Sequence, residues 1–165
     1  MIKINSPRPV KFSRQIAEQP AFRVQPLEPM NSKLNSKPQP SILVVEDFQA
    51  LRASVVQWLQ NRFPGCAVHG VDSGEHALEH ARSARPDVVL MDINLPGIDG
   101  FETTYRLKAQ APETAVVMLT THDTPGHRSA AASAGAVGYV AKHEMEAQLE
   151  ATVVRLLNSR TGRPS

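Results

Sequence analysis

Beyond residue 40 the chain alternates short apolar runs with longer stretches in which apolar residues return every three or four positions. The runs ILVV, AVHGV, DVVLM, AVVML and VGYV predict strands over 42–45, 67–71, 87–91, 115–119 and 137–140, each short and rich in Val, Leu or Ile. Between them Leu51, Val55, Leu59 and Phe63 fall at helical spacing, as do Ala77, Leu78 and Ala81, then Phe101 and Tyr105, and finally Met145, Leu149, Val153 and Leu156. Helix starts are marked too. Asp72 with Glu75 three residues later resembles a capping box, and Thr124 before Pro125 is a cap with a proline in the first turn. Five strands alternating with five helices imply right-handed crossovers and a parallel sheet covered on both faces. The expected architecture is a three-layer α/β domain without internal repeats.

Composition divides the chain near residue 41. Residues 1–40 hold seven of the 13 prolines and seven Lys/Arg against Glu18 and Glu28, whereas 41–165 hold 11 Lys/Arg against 14 Asp/Glu. The first segment shows no strand or helix period and buries too little apolar surface to offset its ordering entropy, so a disordered, basic, Pro-rich extension is expected. Met30 offers an alternative start within it. The folded part is mildly acidic. Cys66 is the single cysteine, which excludes an internal disulfide framework and any multi-cysteine zinc site and fits a reducing cytoplasm. No stretch approaches the roughly 18 apolar residues of a membrane span, and prolines interrupt any signal-peptide core. A cytoplasmic protein without membrane insertion is expected.

Chemistry gathers where the strands end. ILVVED sets Glu46 and Asp47 after the first strand, and VVLMD sets Asp92 after the third. In a doubly wound sheet ordered 2-1-3-4-5 those strands are neighbours at the switch point, so the three carboxylates converge on one crevice. Their repulsion calls for a cation, and Mg²⁺ takes one or two carboxylates with water while sharing its shell with phosphate oxygens. MLTTHD and GYVAK bring the Thr120 hydroxyl and the Lys142 ammonium to the same edge, a donor and a compact charge suited to phosphoryl oxygens. Elsewhere the residues read blandly. His76 and His80, four apart on one helix, lack a third ligand and read as a solvated face. Cys66 reads as a small structural residue and Asp99 as a turn residue.

Residues 41–158 resemble the chemotaxis-regulator-like receiver domain of two-component response regulators, whose fold is flavodoxin-like, (βα)5. The resemblance is carried by Glu46-Asp47, by MDINLPGIDG over 91–100, by Thr120, by GAVGY over 135–139 and by Lys142. The separations, 45 positions from Asp47 to Asp92, 28 to Thr120 and 22 to Lys142, suit strand-helix repeats. RPDVVLMD and GYVAKHE are similar to receivers that precede helix-turn-helix output domains. The resemblance implies that Asp92 is the phosphoacceptor, supplied by a sensor histidine kinase, a histidine phosphotransfer protein or a small phosphodonor. It implies Mg²⁺, with Mn²⁺ as the alternative ion, held by Glu46, Asp47, Asp92 and the backbone carbonyl of Asn94. Lys142 would pair with the phosphoryl charge. Thr120 and Tyr139 would form the switch, with output to a target protein through the fourth helix, fifth strand and fifth helix. The fourth helix, with Pro125, Gly126 and SAAASAGA, offers few large anchors and is expected to be loosely packed. The resemblance also implies that Asn94 and His122 tune the phosphoryl lifetime.

Three residues depart from the common pattern. Glu46 replaces a frequent Asp, Thr121 stands where a small residue is usual, and His143 follows Lys142 where many receivers carry Pro, so a cis peptide is not expected there. Such a domain is a phosphoacceptor rather than an enzyme, with self-catalysed transfer and autodephosphorylation at most. The expected division is an extension over 1–40, a receiver over 41–158 and a flexible tail over 159–165. With so little chain after the fifth helix, a single-domain regulator of a phosphorelay is expected, binding a partner protein or passing the phosphate on, without direct DNA contact. The alternatives are a phosphorylation-independent pseudo-receiver scaffold, the receiver part of a truncated DNA-binding regulator, and a Mg²⁺-dependent phosphotransfer or hydrolase enzyme.

Overall fold

A computed structural model describes residues 39–121 and 123–161. Residues 1–38 of the extension expected over 1–40, the end of the tail (162–165) and His122 lie outside the described residues. The strands are β1 (Ser41–Val45), β2 (Ala67–Val71), β3 (Val88–Asp92), β4 (Ala115–Thr120) and β5 (Gly138–Ala141). They alternate with α1 (Gln49–Arg62), α2 (Gly74–Ala84), α3 (Gly100–Gln110), α4 (Pro125–Ala134) and α5 (Met145–Thr161). All strand pairs are parallel, in the order β2-β1-β3-β4-β5. The flavodoxin-like doubly wound fold expected from the sequence is the fold of the protein.

The side-chain period of two splits each central strand between two cores. Ile42, Val44, Val88, Leu90, Val117 and Leu119 face Val55 and Leu59 of α1 and Leu149 and Val153 of α5. Leu43, Val45, Val89, Met91, Val116 and Met118 face Ala77 and Ala81 of α2, Leu107 of α3 and Ala131 of α4. Because helices cover both faces, all five residues of β3 are buried, which is why the strand reads as an unbroken apolar run rather than an alternation.

Local differences from the sequence expectation have physical causes. Strand β3 starts one residue late, because the Asp87 carboxylate accepts hydrogen bonds from the Ser41 backbone N–H at 2.8 Å and its hydroxyl at 3.2 Å. Strand β5 also starts one residue late, at Gly138, and α5 runs past 158 to Thr161. Ser73, not Asp72, caps α2, accepting from the His76 N–H at 3.3 Å, while Asp72 pairs with the His76 ring at 2.6 Å. Thr124 caps α4 as expected, accepting from the His127 N–H at 3.2 Å. Asp99 is more than a turn residue: it caps α3, accepting from the Glu102 N–H at 2.8 Å. Tyr105 is 64% exposed and does not belong to the buried face of α3, which is built from Thr103, Thr104 and Leu107. Those threonines can be buried because Thr103 donates to the Asp99 carbonyl at 2.7 Å and Thr104 to the Met118 sulfur at 3.4 Å. Helix α4 buries only Ala131, in keeping with the loose packing expected of it.

Candidate functional site

Parallel strands deliver their last residues to one edge. Glu46 and Asp47 follow β1, Asp92 ends β3, Thr120 ends β4, and Lys142 follows β5 at the start of a 3-10 turn, Lys142–Glu144. The register Val45↔Met91 makes Glu46 and Asp92 cross-strand neighbours. Glu46, Asp92 and Thr120 are buried, whereas Asp47 is exposed. One ligand oxygen from each of Glu46, Asp47 and Asp92 lies within 4.8 Å of the others. The Lys142 ammonium bridges two of them, 2.8 Å from Glu46 Oε2 and 2.9 Å from Asp92 Oδ2.

Burial pushes the Glu46 carboxyl above its ordinary value; Asp92 adds to the shift, and the hydrogen bond from Lys142 only partly opposes it. Burial draws the Lys142 ammonium down, but its bonds to Glu46 and Asp92 outweigh that and leave it raised. One ammonium thus faces three carboxylates. An all-oxygen donor set with this excess of negative charge fits a hard divalent cation.

Neighbouring backbone is fixed by residues that motif reading passed over. Arg52 donates to the carbonyls of Glu46 at 2.6 Å and Asp47 at 3.1 Å, holding the β1–α1 connection. Glu75, expected to serve a capping box, instead accepts from the Ile98 N–H at 3.3 Å. It can do so because Gly97 has φ +78 and no Cβ, which would lie 2.6 Å from Glu75 Oε1. Gly100 lets α3 approach the end of β3: a Cβ there would stand 2.1 Å from the Asp92 carbonyl oxygen. The Asn94 N–H points to Asp92 Oδ1 at 3.4 Å.

The expected switch residues stand at the border of this cluster. Thr120 is one strand over from Asp92 and buried. Tyr139 is half-buried against the α2–α4 core and lies under Arg128 of α4, whose Cζ is 4.8 Å from the ring centroid. Arg128 also holds Asp123 through Nε–Oδ1 at 2.6 Å. Among the described residues no peptide bond is cis and no helix is long and apolar enough to cross a membrane.

The family model described as the response regulator receiver domain matches residues 42–154. The chain belongs to the response regulator receiver family. This receiver is 35% identical over 116 residues to the transcriptional activator protein ExaE of Pseudomonas putida, across 70% of this chain and 54% of that protein. It is 39% identical over 102 residues to the response regulator GacA of Pseudomonas viridiflava, across 61% and 47%. The chain therefore spans about half the length of the curated relatives it matches. Among solved structures, it superposes on the signal receiver domain of a DNA-binding response regulator from Colwellia psychrerythraea 34H with a TM-score of 0.68 at 27% identity, covering 72% of this chain and 98% of that one. The chemotaxis protein CheY4 of Vibrio cholerae gives a TM-score of 0.62 at 29% identity, covering 73% and 98%. Receivers of this family are phosphoacceptor signalling domains of two-component systems rather than enzymes with turnover.

Proposed function

We propose that this receiver, over residues 41–158, accepts a phosphoryl group on Asp92 and changes conformation in response. The observation that carries the proposal is the Lys142 ammonium within hydrogen-bond reach of both Glu46 and Asp92, in a carboxylate cluster completed by Asp47. An Asp92 oxygen forms the bond to phosphorus as the bond to the donor's leaving group, a histidine imidazole or an acyl oxygen, breaks. Glu46, Asp47, Asp92 and the Asn94 carbonyl would hold Mg²⁺, with Mn²⁺ as the alternative ion. Bound there, the ion neutralises charge on the transferred phosphoryl group. Lys142 supplies a fixed positive charge to the same oxygens, so the chain contributes positioning and electrostatics rather than a general base.

Thr120 then donates its hydroxyl to a phosphoryl oxygen and draws the β4–α4 connection inward, and Tyr139 follows. A phosphoryl group favours only the conformation that binds it better, and α4, which buries only Ala131, is the element most easily moved. Asn94 and His122 set the phosphoryl lifetime. The donor is a cytoplasmic sensor histidine kinase or histidine phosphotransfer protein, and the α4-β5-α5 face meets the target. Coverage of about half of relatives that include a transcriptional activator and a transcriptional regulatory protein favours a second reading, in which that face meets a DNA-binding domain of the same protein. Sequencing the gene past Ser165 separates the two readings.

Intact mass after incubation with acetyl phosphate and Mg²⁺ tests the proposal. A single phosphoryl adduct is expected, absent from Asp92→Asn and from a sample with EDTA. No adduct from either acetyl phosphate or a phosphohistidine donor would overturn it and leave a phosphorylation-independent scaffold.

A further inference from the structure

His69 lies on the edge strand β2 and His80 in α2, eleven residues later. Packing of the helix on the sheet brings their ring centroids to 5.2 Å, with the planes inclined by 46°. Helix α2 is seated by buried Ala77 and Ala81, so His80 beside them is half-buried on a fixed backbone, while His69 is exposed and can turn its ring. His76, four residues before His80 on the same helix, is not available to it, because the His76 ring is engaged by Asp72 at 2.6 Å. Among the described residues neither the His69 nor the His80 ring has a hydrogen-bond or ion-pair partner, and the two rings lie against each other.

We propose that His69 and His80 form a second metal site, which takes a borderline transition-metal dication such as Zn²⁺ through the two imidazoles. Two rings on one zinc, at Zn–N lengths of about 2.1 Å, place their centroids roughly 4.5 Å apart at a right ligand angle and roughly 5.2 Å apart at the tetrahedral angle. The 5.2 Å separation in this protein lies within the reach of two rings sharing one ion, once the exposed His69 ring turns its nitrogen toward His80. Burial, with His69 nearby, holds the His80 imidazole below its ordinary value, which keeps it in the neutral form that binds metal. Among the described residues no third His, Cys, Asp or Glu joins the pair, so water completes the shell.

Ligand hardness separates this site from the carboxylate cluster. Imidazole nitrogen suits zinc, nickel or copper, whereas Mg²⁺ prefers oxygen. A metal held here ties the free edge of the sheet to α2, away from the crevice between β1 and β3.

The test is a Zn²⁺ titration of the untagged full chain with saturating Mg²⁺, followed by thermal unfolding and by the histidine ring resonances. One equivalent is expected to raise the melting temperature and to shift the His69 and His80 resonances together. His69→Ala should abolish both effects and His76→Ala neither; because His69 is exposed, its variant keeps the fold. The site is overturned if no Zn²⁺ binds under these conditions, if His69→Ala keeps the response, if His76→Ala loses it equally, or if Asp47→Asn abolishes it.

Discussion

The two ends of the sheet use the same residue types to opposite ends. Asp87 and Asp92 bracket β3, and Thr114 and Thr120 bracket β4. At the amino edge the polar groups are satisfied by local partners. Asp87 accepts from the Ser41 N–H and hydroxyl, Thr114 donates to the Pro86 carbonyl at 2.8 Å, and Lys108 donates to the Thr114 carbonyl at 2.9 Å. At the carboxyl edge acid faces acid, and Lys142 is shared between Glu46 and Asp92. A carboxylate satisfied by neutral donors adds stability, whereas carboxylates gathered around one ammonium hold charge ready for something else to neutralise. Function is thus legible in the kind of partner a residue has. Active sites tend to trade stability in this way.

The comparison can be broken most forcefully at Gly100. Its missing Cβ is what allows α3 to close on the Asp92 carbonyl, and the obstructing atom is backbone, which cannot step aside. Gly100→Ala should cost about 3 kcal/mol in urea unfolding, at the upper end of typical overpacking, and weaken metal binding with it. A variant as stable as the parent would mean that the carboxyl edge has slack and its crowding is not imposed by the fold.

A paired measurement sharpens the contrast itself. Asp87→Ala removes the acceptor for the Ser41 N–H and hydroxyl and should destabilise by about 2 kcal/mol. Asp92→Ala removes a carboxylate whose neighbour is another buried carboxylate, so repulsion is relieved as the bond to Lys142 is lost, and less than about 1 kcal/mol should change. Equal losses in the two unfolding curves would show that both edges are built for stability alike.

The same distinction explains what the sequence made visible. The central strands were readable because burial on both faces leaves continuous apolar runs, and their terminal acids stood out against that background at Glu46, Asp47 and Asp92. Arg52 and Glu75 were not readable, because each acts on backbone groups brought near by the fold, Arg52 on the Glu46 and Asp47 carbonyls and Glu75 on an N–H 23 residues away. Ser73 and Asp72 are both competent caps, and only backbone geometry at the start of α2 selects the serine. Tyr105 was misplaced because buried Thr103 and Thr104 look polar until their hydrogen bonds, to the Asp99 carbonyl and the Met118 sulfur, are known. His69 meets His80 across a strand and a helix, a contact to which neither period points.

The smallest expected effect marks where the crowding stops. Asp72 follows β2 at the carboxyl edge, but it is exposed, and its hydrogen bond to His76 holds its carboxyl below the ordinary value. The same bond raises the His76 imidazole above its ordinary 6.5, while burial moves Glu46 in the opposite direction to Asp72. Because the folded His76 pKa exceeds the unfolded one, its contribution is complete below pH 6.5 and is lost as pH rises through the raised value. Asp72 contributes above 3.8, and that part is lost as pH falls through its lowered value. Both groups are open to solvent, so salt screens the pair and the readout is the His76 ring titration by NMR rather than unfolding. Asp72→Asn should bring the His76 midpoint down toward 6.5, and added salt should do the same in part. An unmoved midpoint would mean that the His76 ring does not feel Asp72, and that even exposed acids at this edge lack the local partners that distinguish the opposite one.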